Sequence, residues 1–145
     1  MAISPDRITA RFSEIVAALP RNYSDCIRRR QNEKKTRIIV DEAEIDRSQK
    51  IYGKITTAAE IGGLFYFRPS RITEEVLDKV LLHEMMHLYI EDRDGLTYRD
   101  FQRHALLSPG EISKIEWLRF ENEKEAIKLT TQLMAKLRLG QTREQ

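Results

Sequence analysis

Two histidines four residues apart on a helix lie one turn above the other, so their imidazole nitrogens can converge on one metal ion. The segment His83-Glu84-Met85-Met86-His87 has that spacing. Glu84 follows the first histidine and falls beside such an ion without ligating it, at a reach suited to taking a proton from water. One zinc ion per chain therefore accounts for three polar residues at once. The alternative is two core histidines and a glutamate that each find a separate hydrogen-bond partner inside an otherwise apolar helix, which is costly for buried polar groups.

A catalytic zinc commonly takes three protein ligands and leaves a position open to water. The third must come from outside the segment, because positions 90 and 93, where a metzincin would carry Gly and His, hold Ile90 and Arg93. Glu121, Glu123, Glu125 and His104 are the downstream candidates, and Glu125 lies nearer the apolar stripe of its helix than Glu123 does.

The stretch Asn122-Glu123-Lys124-Glu125-Ala126 resembles the helical Asn-Glu-x-x-(Ser/Ala) motif of the gluzincins, and residues 123–134, EKEAIKLTTQLM, resemble the matching helix of the ImmA/IrrE-type minimal gluzincins. The resemblance implies Glu123 as third ligand and a zincin core, its order of elements covering roughly residues 36 to 138. Thermolysin-like members orient a zinc-bound His with an Asp four residues after the ligand Glu; Ile127 stands there, so Glu121, Glu125 or a backbone carbonyl must serve instead. SprT-like proteases also resemble the layout up to the HEMMH helix and would make His104 the ligand, but their His-Gly pair would fall near Leu96-Thr97.

The chemistry implied is peptide hydrolysis by metal-activated water with Glu84 as general base, and Tyr98 and His104 as candidate donors to the oxyanion. The expected partner is a polypeptide substrate, a regulatory protein if the ImmA/IrrE likeness extends to function. In resembling proteases a sheet edge holds such a peptide by main-chain hydrogen bonds, and the strand at Leu64 to Phe67 is placed for it. A catalytically inactive interaction module on the same framework is the alternative of a different class, and a DNA-associated protease of SprT-like type is the other alternative.

Several elements must position these residues. Ser4-Pro5-Asp6 starts a helix whose apolar residues Ile8, Phe12, Ile15, Val16 and Leu19 recur at helical spacing up to Pro20. The polar stretch from Arg21 to Lys35 reads as weakly helical at best. Thr36 to Val40, Ile51 to Thr57 and Ile61 to Arg68 read as three strands, with Gly62-Gly63 bending the start of the last. Thr73 caps the helix that carries the HEMMH segment to Asp92-Arg93-Asp94-Gly95. Ser108-Pro109-Gly110-Glu111 opens a long final helix that Gly140 closes. The expected fold is α+β: a compact zincin-like domain over residues 1–139, with a small three-stranded sheet on the active helix, a long C-terminal helix and a polar tail at 140–145.

Composition bounds the rest. The 145 residues suit one core, and 41% hydrophobic against 33% charged residues suits a folded, water-facing domain. With 25 Lys and Arg against 23 Asp and Glu, the formal charge of +2 supplies little field for a nucleic acid, and the clusters Arg28-Arg29-Arg30 and Lys34-Lys35 lack interleaved aromatics; no nucleic acid partner is expected. Cys26 is the single cysteine, the first twenty residues carry Asp6, Arg7, Arg11 and Glu14 rather than an apolar run, and no stretch approaches the ~18 apolar residues of a membrane span. A cytoplasmic protein without a membrane partner is expected.

Overall fold

A computed structural model of the chain describes residues 3–95 and 109–139, the side chains of 109–119 excepted. Among these described residues the secondary structure is α+β, with five α-helices and one small mixed sheet. Helix α1 (Pro5–Ala18) begins as its sequence dictates: the Ser4 hydroxyl accepts the Arg7 N–H at 3.2 Å and Pro5 occupies the first turn. Its buried face, Ile8, Phe12, Ile15 and Val16, repeats every three to four residues.

The next segment corrects the sequence reading. Residues expected to be weakly helical form α2 (Arg21–Asn32), because Pro20, which closes α1, also starts α2 by accepting the Tyr23 and Ser24 N–H groups. Its apolar face is narrow, Cys26 and Ile27, yet it is buried against α4 and α1. Strand β1 (Arg37–Ile39) follows.

The strand expected from Ile51 to Thr57 does not form. Ile51 and Tyr52 are the last residues of α3 (Glu42–Tyr52), whose Asp41 cap accepts the Ala43 N–H at 3.0 Å and which stops at Gly53, φ 99°. Capping and the burial of Ile45 outweigh the β preference of two terminal residues. The third strand is instead β2 (Ala58–Ile61), joined to β3 (Leu64–Phe67) through Gly62 and Gly63, both at positive φ. These two glycines are therefore a tight hairpin turn and not a bend within one strand. A Cβ on Gly63 would also meet the Lys35 carbonyl at 3.1 Å.

The strand order is β1-β3-β2, with β1 parallel and β2 antiparallel to β3. Alternation along β3 divides the core: Phe65 and Phe67 join the large cluster under α1, α2 and α4, while Tyr66 joins Ile39, Ile45 and Ile55 beneath α3. Helix α4 (Leu77–Asp94) begins four residues after Thr73, with Thr73 to Val76 forming a turn, and ends at left-handed Gly95. Helix α5 (Pro109–Leu137) lays Asn122, Ala126, Thr130 and Leu133 inward and packs chiefly on α4. It ends with Arg138 at φ 54°, before Gly140; that glycine, the Ser108 cap and the tail lie outside the described residues. Among the described residues no helix is long and apolar enough to cross a membrane.

The start of α4 is held by a bidentate ion pair: Arg11 Nε to Asp78 Oδ1 at 2.7 Å and Nη2 to Oδ2 at 2.9 Å, with Asp78 7% exposed. Removing one partner of a buried pair strands the other charge. Arg11→Ala is accordingly expected to cost about 3 kcal/mol of unfolding free energy in urea, and an unchanged midpoint would show the pair to be energetically idle.

Candidate metal centre

Helix α4 presents His83 and His87 on one face and buries Glu84 beside them. Where α5 crosses that face, Glu123 reaches both histidines: Oε1 lies 2.9 Å from His83 Nε2 and Oε2 lies 2.8 Å from His87 Nε2. The two Nε2 atoms are 3.1 Å apart. Donor atoms in a tetrahedral shell with bonds of about 2.1 Å sit roughly 3.4 Å from one another. Two imidazole nitrogens and one carboxylate, all within 4.8 Å of one another, could thus hold a metal ion, and the donor set is one that zinc accepts.

Asn122, the residue before Glu123, takes an orienting role that its sequence position alone does not reveal. Its Oδ1 accepts a hydrogen bond from His87 Nδ1 at 2.9 Å, so that Nε2 is the nitrogen that could give its lone pair to a metal ion once its own proton is displaced. The acids considered for this orienting role are engaged elsewhere, Glu125 with Arg93 at 2.8 Å and Glu121 with Lys124 at 3.4 Å. Ile127 is 53% exposed and faces away. The signal available was the amide adjoining the ligand-type glutamate on an inward-facing helix position. His104, Tyr98 and Leu96-Thr97 lie outside the described residues.

Electrostatics differ sharply between neighbours. Burial, opposed by His87 and reinforced by Glu60 and Glu123, pushes the Glu84 carboxyl up to about 7, while the Glu60 backbone N–H donates to it. Burial would lower His87, but hydrogen bonding to Glu123 and the charges of Glu84 and Glu123 push it up to about 9. Burial and the neighbouring His87 lower His83. The hydrogen bond from His87 lowers Glu123.

Strand β3 is the central strand, so Leu64 to Phe67 cannot be the edge expected to receive a peptide; the edge above α4 is β2. On it, Glu60 meets Glu91 of α4. Burial and the Glu60 carboxyl raise Glu91 far above the ordinary carboxylate range. Folded Glu91 thus keeps a proton that the unfolded chain sheds above about pH 4.5, so this residue costs stability progressively as pH rises from there. Glu91→Gln is expected to stabilise the fold at pH 8 by about 1 kcal/mol or more and to have no such effect at pH 4. Equal effects at both pH values in urea titrations would refute the assignment.

Two cavities flank the centre. One, of about 330 Å³, includes Ile55, Glu60, His87, Glu91 and Glu123 in its lining; the other, of about 450 Å³, includes Arg71, Val76, Lys79, His83 and Glu84. No family model, curated protein or solved structure matches the chain.

Proposed function

We propose that the chain is a zinc-dependent endopeptidase of gluzincin type, with one Zn2+ held by His83, His87 and Glu123 and with Glu84 as the general base. The observation that carries this reading is the convergence of two Nε2 atoms and one carboxylate beside a buried, non-ligating glutamate. Zinc, when bound, supplies a Lewis acid that polarises a peptide carbonyl and makes water a nucleophile near neutral pH. The placement of Glu123 between the histidines supports the gluzincin arrangement over one completed by His104.

The chain's own residues carry the remaining steps. Glu84 takes the proton of the attacking water on its carboxylate and passes it to the leaving amine, so that a neutral amine departs. The Glu60 N–H fixes that carboxylate, and burial excludes bulk water from it. Asn122 holds the His87 ring in the tautomer that ligation needs. The cleft between β2 and α4, open to a cavity on either side of the centre, suits an extended polypeptide, and the ImmA/IrrE likeness makes a regulatory protein the proposed substrate.

The test joins metal content to turnover. Purified protein should carry one zinc per chain by elemental analysis and cleave an unfolded protein such as casein or a candidate regulator. A chelator should stop cleavage and added zinc restore it. Full zinc occupancy with no cleavage of any substrate would favour the interaction module instead.

A further inference from the structure

The two cavities beside the centre differ in the ionisable groups that line them. The one beside His87 is lined by Glu60, Glu91 and Glu123 against Lys54. The one beside His83 is lined by Arg71 and Lys79 against Glu84 alone, with apolar walls from Val76 and Val80. Arg71 and Lys79 are exposed, and among the described residues neither has a carboxylate within ion-pairing distance, whereas nearby Arg68 and Arg7 are neutralised by Asp46 and Glu74. Lys79 is one helical turn before His83 on α4. The same cavity borders the start of α4, where Val76 offers no side-chain cap and the helix dipole adds positive potential.

We infer that the cavity lined by Arg71, Lys79, Val76 and Val80 receives a carboxylate of the polypeptide substrate, seated on the His83 side of the bond to be cleaved. This inference rests on the peptidase reading and names its substrate class. Arg71 and Lys79 supply the attraction, and the stem of an acidic side chain packs on the two valines. A carboxylate can come from an Asp or Glu side chain or from the substrate's C-terminus, and the experiment separates these.

Zinc-loaded Glu84→Gln protein, which should bind without cleaving, is titrated into labelled octapeptide pools that are random except for one scanned position fixed as Glu, Gln or Lys. Each pool is made with a free and with an amidated C-terminus, and binding is read by fluorescence polarisation. A side-chain carboxylate predicts about five- to tenfold tighter binding of Glu than Gln at one position in amidated pools, declining as salt rises. A C-terminal carboxylate predicts the same gain for free over amidated ends. Adding Arg71→Glu and Lys79→Glu should abolish either preference while zinc content stays at one per chain; the single changes Arg71→Gln and Lys79→Gln should each weaken it, should the double change perturb folding. Equal binding of all pools, or a preference that survives charge reversal, overturns the inference. The same comparison on zinc-free protein reads the cavity without the metal, whereas a failed peptidase reading appears separately as missing zinc or missing cleavage in the unaltered chain.

Discussion

Glu84→Gln should reduce peptide hydrolysis by about 10²- to 10⁴-fold while leaving one zinc per chain. The amide keeps the approximate shape of the carboxylate and can still accept the Glu60 N–H, so the local fold should be preserved. It cannot take up a proton from water. The variant therefore isolates the proton transfer from ligand geometry. Glu84 is not part of the converging donor set, so elemental analysis should find no change in metal. Stability should rise slightly at neutral pH, because Gln at this buried position carries no charge to desolvate. Retained hydrolysis with full zinc occupancy would remove Glu84 from the chemistry, and loss of zinc would make it a ligand or a support of one.

His83→Ala, His87→Ala and Glu123→Ala should each strip most of the zinc, since two remaining donors cannot complete the coordination zinc prefers. The contrasting changes are as informative. Glu121→Ala and Glu125→Ala should leave zinc near one per chain, because those carboxylates face Lys124 and Arg93. Asn122→Ala should weaken zinc by about tenfold to a hundredfold by freeing the His87 ring to rotate and change tautomer. Competition with a chromophoric chelator measures all of these on one scale. If Glu123→Ala retains zinc and His104→Ala loses it, the third ligand is the histidine and the SprT-like alternative takes the place of the gluzincin one.

Short-range geometry accounts for every feature that was legible in the order of residues alone. His83 and His87 lie four positions apart, about one helical turn, so any helix there places both imidazoles on one face, whatever surrounds it. Ser4-Pro5 and Pro109 start helices for equally local reasons, and Gly95 stops one. In two segments local preference and tertiary packing disagree. Ile51 and Tyr52 favour strands, yet the chain from Asp41 is already capped and buries Ile45, so they finish α3. The weak helical pattern of Arg21 to Asn32 becomes α2 once α4 covers Cys26 and Ile27.

Within the site, the resemblance at Asn122 to Ala126 points to Glu123 while helical angle alone sets Glu125 nearer the apolar stripe, because angle on one helix says nothing of where the other crosses. The crossing of α5 over α4 is set by Asn122, Ala126, Thr130 and Leu133 packing inward, and that position brings Glu123 to both histidines and Glu125 to Arg93. The same crossing assigns Asn122 to His87, and the β2–β3 hairpin brings Glu60 to Glu84 and Glu91, contacts between residues 24 and 31 apart in the chain. Spacing can place donors on one helix, but only the packing of separate elements can choose which side chain from elsewhere completes the set, since that choice depends on distances of a few ångströms between surfaces the chain order does not relate.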